Sequence, residues 1–145
     1  MELVEVIKKR HSVRKYHDKQ VPDELLFRII ELARSAPSAG NLKAYEAIIT
    51  KEKVTEQVDA PIYIVICADL ERAVRRYGDR GRNLYSIQDA TIFGSYIQLI
   101  AVDIGLSTVW IGAFREDRVR RILSIREGLR PVAIIAIGYE SKNMI

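Results

Sequence analysis

Leu3, Val6, Ile7 and Arg10 recur at helical spacing while Glu2, Glu5, Lys8 and Lys9 fall on other faces, a pattern that predicts a short amphipathic helix. Ser12 to Tyr16 then reads as extended chain. Pro22 suits the first position of a second helix, and Asp23 and Glu24 favour its positive end. Leu25, Leu26, Ile29, Ile30 and Ala33 form its apolar stripe, and Pro37 and Gly40 stop it. A strand is expected from Tyr45 to Thr50. Ile62 to Ala68 is a continuous, largely β-branched run of the kind covered on both faces. Ser107–Ile111 and Val132–Ile137 read as two further strands, separated by a short helix carrying Val119, Ile122 and Leu123.

The most distinctive pattern runs from Ser86 to Ile104. Ser86-Ile87-Gln88-Asp89 matches a capping box and Gly105 is a natural residue to end a helix, so the segment should form a helix about 28 Å long at 1.5 Å per residue. Its charges, Asp89 and Asp103, lie near the ends, and apolar residues surround most of the axis, as in a buried helix. Gln88, Thr91, Ser95 and Gln98 share one uncharged polar stripe. That stripe suits burial against a second subunit related by two-fold symmetry; the alternative is a seam inside one chain. Upstream, Asp69 to Leu84 turns basic, with Arg72, Arg75, Arg76, Arg80 and Arg82, and is expected to start helical and end as a loop.

At 145 residues, 48% hydrophobic and 29% charged, the chain (1–145) has the length and composition of a single globular domain. Its net charge of +4 makes an anionic partner plausible. The lone Cys67 sits within a strand pattern and reads as a small buried hydrophobe. The opening residues do not resemble a signal peptide and no apolar run is long enough to span a membrane, so a cytoplasmic location is expected.

Two short motifs carry the candidate chemistry. In Arg10-His11-Ser12-Val13-Arg14 the two arginines and the serine alternate along an extended segment and can point at one anionic ligand. Equally, the arginines can pair locally with Glu5 or Asp18. Ala36-Pro37-Ser38-Ala39-Gly40-Asn41 reads as a helix stop and turn, or as a small-residue loop that lets a planar ligand approach its backbone. His11 and His17 have no spacing partner for a metal, and no nucleophile elbow, Walker loop or GxGxxG is present. The shortage of acid-base residues argues against hydrolysis and leaves room for a cofactor enzyme. Single-strand binding wants aromatics interleaved with its charges, and beside the arginines from Arg72 to Arg82 only Tyr77 and Tyr85 qualify, so no nucleic-acid partner is expected.

Taken in order along the chain, these segments resemble the nitroreductase family. The likeness is carried by Arg10-His11-Ser12-Val13-Arg14-Lys15-Tyr16, by Ala36 to Asn41, by Ala60-Pro61 before the buried strand, and by Asp89-Ala90 in the long helix. Gly105-Leu106-Ser107-Thr108-Val109-Trp110-Ile111-Gly112 and Ile137-Gly138-Tyr139 complete the series. The resemblance implies an α+β fold: a central mixed or antiparallel sheet flanked by helices, with the long helix buried at a dimer interface. It also implies a homodimer with FMN at each of two subunit-interface sites, NADH or NADPH as hydride donor, and a nitroaromatic, quinone or flavin as acceptor. The chemistry would take place on flavin N5 without a catalytic side chain. By that likeness Arg10 would bind the flavin phosphate with His11 and Ser12 alongside, and Arg14 would lie near the pyrimidine end. Pro37, Ser38 and Asn41 would reach in from the second subunit, and Ile111 and Gly112 would offer backbone contacts near N5.

The chain also departs from the family pattern. Asn41-Leu42-Lys43-Ala44-Tyr45 keeps only the aromatic of Asn-x-Gln-Pro-Trp, and Gly138-Tyr139 is followed by Glu140-Ser141-Lys142 rather than by Pro and a basic residue. Lys142 is then the candidate for the phosphate contact that this basic residue makes in the family, and Lys53 the candidate for a flavin contact often supplied before the buried strand. The short middle region keeps open a second reading, a flavin-binding or storage module with little turnover.

Overall fold

The computed structural model describes residues 1–142. The apolar runs pair as one antiparallel sheet in the order β1-β2-β4-β3, with β1 at Tyr45–Thr50, β2 at Ile62–Asp69, β3 at Ser107–Ile111 and β4 at Leu129–Gly138. Five helices surround it: α1 (Leu3–Lys9), α2 (Asp23–Ala33), α3 (Leu70–Arg80), α4 (Ser86–Ile104) and α5 (Glu116–Leu123).

Every residue of β2 is buried, as its unbroken apolar run requires. Alternation along the strand divides the core. Ile62, Ile64, Ile66 and Ala68 join Ile135, Ile137, Ile29, Phe93 and Ile97 beneath α2 and α4, while Tyr63, Val65 and Cys67 join Val109, Ile134 and Val119 beneath α5. Truncating a fully buried isoleucine such as Ile64 to alanine should cost about 2–5 kcal/mol through lost burial and the cavity left behind. Cys67 is the small hydrophobe expected, its thiol pushed up to about 12 by burial. β4 begins earlier than its apolar run because a bulge between Ile66 and Cys67 accommodates Pro131 opposite Cys67.

Three local expectations change. Pro22 is the residue before α2 rather than within it, its carbonyl accepting the N–H groups of Leu25 and Leu26. The basic segment is not a loop: the chain is helical for 35 residues from Leu70 to Ile104, broken at Gly78 (φ 59°, ψ −144°) and widened into a π-type turn at Gly81–Tyr85. Ser86 therefore caps nothing; its hydroxyl donates to the Arg82 carbonyl at 2.9 Å. The other end of α4 is as expected, with Gly105 at φ 98° and the Leu106 N–H returning to the Ala101 carbonyl at 2.8 Å.

α4 packs its buried side against β2, β3 and α2, and Gly94 lets the Trp110 ring lie directly across it. Of the polar stripe, Gln88, Thr91 and Ser95 are exposed, while Gln98 is buried and donates to the Thr108 hydroxyl at 3.1 Å. The seam within one chain is thus correct for Gln98 alone. α1 buries only Val6 and leaves Leu3, Val4 and Ile7 more than half exposed. Among the described residues, no helix is long and apolar enough to cross a membrane.

Candidate functional site

The Arg10–Arg14 segment is held by its backbone. Ser12 forms a parallel bridge with Thr108, the Val13 N–H donates to the Thr108 carbonyl at 3.0 Å, and Val13 is buried. The Tyr16 hydroxyl donates to the Val13 carbonyl, and Tyr16 bridges Glu140, fixing the segment between β3 and the chain beyond β4. Burial raises the Tyr16 phenol above its ordinary range, so it stays protonated as a donor. Alternate residues consequently face outward: Ser12 and Arg14 are exposed and Arg10 is half-buried. Among the described residues neither arginine has a carboxylate within 4.0 Å, so the local pairing with Glu5 or Asp18 does not form.

The same end of the molecule gathers more positive charge. His11 and Lys142 line a cavity of about 280 Å³ with Lys9, Ser107 and Glu140, next to Gly105 at the end of α4. His11 Nδ1 lies 3.0 Å from the Lys9 carbonyl and Nε2 lies 3.2 Å from the Glu140 carboxylate; both contacts raise its pKa, the first more than the second.

The loop after α2 is built differently. Gly40, Asn41 and Lys43 have φ of 58°, 56° and 50°, a concentration of left-handed backbone that side chains must support. Ser38 Oγ accepts the Lys43 N–H at 3.1 Å, and Asn41 Oδ1 accepts from Lys43 Nζ at 2.9 Å. From α4, Asp89 Oδ1 accepts the Ala39 N–H at 3.1 Å. Asp89 is buried, and desolvation raises its pKa while the Ala39 bond opposes the rise. The carboxylate read as part of a capping box is thus a strut for the loop. An acid inside an otherwise apolar helix was the signal for it. Two further supports were not foreseen: Tyr77, whose hydroxyl abuts Gly40 where a Cβ would stand, and Arg72, which donates to the Lys43 carbonyl at 3.1 Å.

Pro37 and Ser38 line an apolar cavity of about 570 Å³ with Tyr85, Ile87 and Ile92, and Asn41 is exposed on the same loop. Gly112 lines a neighbouring space of about 250 Å³ that shares Ile87, directly after the buried Ile111 at the end of β3. Along α4, the loop lies at the Ser86 end and His11 and Lys142 at the Ile104 end. Within one protomer the two motifs are therefore separated by most of a helix about 28 Å long. Lys53 joins neither group. It pairs with Asp59 at 3.2 Å and Glu56 at 3.6 Å, and Glu56 in turn meets Arg118 of α5, on the sheet face away from α4. Among the described residues no cluster of potential metal ligands occurs.

The family model described as the nitroreductase family matches residues 7–58 and 49–139. A protein of Methanothermobacter thermautotrophicus, provisionally named NADH dehydrogenase/NAD(P)H nitroreductase, is 35% identical over 99% of this chain and 80% of its own length. The crystal structure of a nitroreductase family protein from Clostridium difficile 630 superposes with a TM-score of 0.86 at 35% identity, covering 98% of this chain and 86% of that one. An FMN-dependent nitroreductase from Clostridium difficile R20291 gives a TM-score of 0.80 at 30% identity, covering 97% and 88%.

Proposed function

Because this chain belongs to the nitroreductase family, we propose that it is an FMN-dependent oxidoreductase that takes hydride from NADH or NADPH and reduces a small acceptor such as a nitroaromatic, a quinone or a flavin. The observation that carries the reading is the Ser12–Thr108 bridge, which presents Arg10, Ser12 and Arg14 in alternate register beside β3, their side chains without a hydrogen-bond partner among the described residues.

The residues fit the cofactor at both of its ends. Lys9, His11 and Lys142 line a cationic cavity suited to the phosphate, where Lys142 would act as a point charge, and Arg10, between Lys9 and His11 in sequence, would add a planar fork. Ser12 adds a hydroxyl that can donate or accept. Arg14 holds a fixed positive charge where the pyrimidine edge gains electron density on reduction, and a preorganised cation there lowers the energy of the charged state. The backbone after Ile111 would supply contacts near N5, where Ile87 and Phe114 line the same space as Gly112. Bound FMN supplies the hydride-accepting and electron-relaying chemistry that none of these side chains offers.

This reading requires a homodimer. Exposed Thr91, Ser95 and Tyr96 on α4, beside exposed Leu3, Val4 and Ile7 of α1, form a face with few charges. Pairing α4 with a second α4 in antiparallel sense about a two-fold axis brings the Pro37–Asn41 loop of one protomer to the Arg10–Arg14 segment of the other. The separation of the two motifs within one chain then becomes the geometry that a shared site needs.

Reconstitution with FMN followed by anaerobic titration with NADPH and NADH tests the proposal. Bleaching of bound flavin by at least one donor is expected. A protein that binds no flavin, or whose flavin neither donor reduces, would overturn it.

A further inference from the structure

The α3 end carries positive charge that the flavin site does not use. Residues 70–85 hold five arginines against Glu71, which pairs with Arg126 at 3.0 Å, and Asp79. Arg72 is engaged by Asp69 and the Lys43 carbonyl. Arg76 and Arg80 are exposed, and among the described residues neither meets a carboxylate within 4.0 Å.

Both guanidiniums nevertheless lie beside an aromatic ring. Arg76 lies 5.5 Å from the centre of the Tyr77 ring, and Arg80 lies 5.5 Å from that of Tyr85, donating through Nε to the Tyr85 hydroxyl at 3.1 Å. The two rings meet edge to face at 5.3 Å. The result is a continuous Arg–Tyr–Tyr–Arg group. It joins the loop at two points, since the Tyr77 hydroxyl abuts Gly40 and Tyr85 lines the apolar cavity beside Pro37 and Ser38. Neither arginine lines that cavity, which the proposed dimer gives to the flavin; the group instead reaches its edge through Tyr85, where the phosphorylated end of a donor stacked on the flavin would meet aromatic-supported guanidiniums. Of the two nicotinamide donors, only NADPH carries a phosphate monoester on its adenosine ribose. The terminal guanidinium nitrogens of both arginines remain available for it, Arg80 spending only Nε on the Tyr85 hydroxyl.

We propose that Arg76 and Arg80 bind the 2′-phosphate of NADPH and make this chain selective for NADPH over NADH. The inference rests on the nicotinamide-dependent reading above. Its test separates the two.

Calorimetry on the FMN-loaded protein with 2′,5′-ADP and with 5′-AMP, which differ only in the 2′-phosphate, separates binding of that phosphate from hydride transfer. The wild type should bind 2′,5′-ADP about ten-fold or more tightly than 5′-AMP, the scale of one charge-assisted hydrogen bond, and the advantage should shrink as salt rises. In the R76Q/R80Q variant the advantage should fall to about two-fold or less, and the NADPH-to-NADH ratio of kcat/KM should fall with it while NADH turnover is retained. R28Q, a change in an exposed arginine of α2, should leave both ratios unaltered. Equal wild-type affinity for the two nucleotides, or an advantage that survives in R76Q/R80Q, overturns the proposal, as does a gel shift with random oligonucleotide that outcompetes 2′,5′-ADP. If flavin reduction fails while the 2′,5′-ADP advantage holds, the oxidoreductase reading is what has failed.

Discussion

The Arg10–Arg14 segment and the Pro37–Lys43 loop divide the work of backbone and side chain in opposite ways. In the first, backbone bridges to Thr108 and Glu140 fix the chain, so the arginines and Ser12 remain free. In the second, Ser38, Asn41 and the distant Asp89 hold a left-handed backbone in place, so side-chain polarity is largely spent internally. The first region offers charge and the second offers shape. A flavin needs both, and they lie at opposite ends of α4 in one protomer.

The largest effect should come from separating them. Ser95 is exposed midway along α4, and a glutamate there would bring two like charges close together across an antiparallel α4 pair. Ser95→Glu should give a monomer by light scattering that elutes without flavin, although its fold, read by circular dichroism, is retained. A flavin-bearing dimer in Ser95→Glu would show that α4 does not form the shared face. Next in size is the loss of charge from the first region. Arg10→Ala should weaken FMN binding by about ten- to a hundred-fold, equivalent to about 1.5–3 kcal/mol for a hydrogen bond to a charged group, with little change in thermal stability. Arg14→Ala should leave FMN affinity less affected and lower the flavin reduction potential, because its proposed role concerns the reduced state. Fluorescence titration and potentiometry distinguish them.

The second region should respond in stability before affinity. Asp89→Ala removes the acceptor of the Ala39 N–H and should destabilise the protein by about 1–3 kcal/mol in urea unfolding. Asp89→Asn keeps an acceptor oxygen and removes a carboxylate whose burial disfavours its charge, so it should be nearly neutral. Equal losses in both variants would mean that the charge, rather than the hydrogen bond, supports the loop.

The contrast also explains what could be read from the sequence. β1, β2 and β3 were legible because each is an apolar run whose burial is decided by its own residues, and Gly105 marked the end of α4 for a similarly local reason. The Arg10-x-Ser12-x-Arg14 alternation was legible because an extended chain sends alternate side chains to one side. Asp89 was misread because a local pattern offered Ser86 as its partner, whereas its actual partner, Ala39, lies fifty residues away in sequence. The end of the basic segment Asp69–Leu84 was read as a loop because Gly78 and Gly81 lower helix propensity, and packing of Gly81 against Tyr77 and Ala73 overrides it. Lys53 had a candidate role by position along the chain, but its acids Asp59 and Glu56 lie on the other layer. Local chemistry was visible; long-range supports were not.

The smallest effect should be a pH dependence confined to the first region. His11 has a raised pKa, from the Lys9 carbonyl first and then from Glu140, so its charged form is favoured in the folded protein. The His11–Glu140 pair is therefore fully formed below the ordinary histidine value of about 6.5 and is lost as pH rises through the higher folded value. A cation beside the proposed phosphate contacts disappears over the same interval, so FMN affinity should fall a few-fold at most, because an exposed charge is screened by water. The phosphate itself also titrates, with its second ionisation near pH 6, and strengthens binding in the opposite sense. His11→Gln removes one contribution and leaves the other. Comparing FMN dissociation constants from pH 6 to 8.5 in wild type and His11→Gln isolates the imidazole, and Glu140→Gln should move the wild-type inflection to lower pH by withdrawing one of the contacts that raises it. Parallel pH curves for wild type and His11→Gln would place the phosphate contact elsewhere, on Arg10 and Lys142 alone.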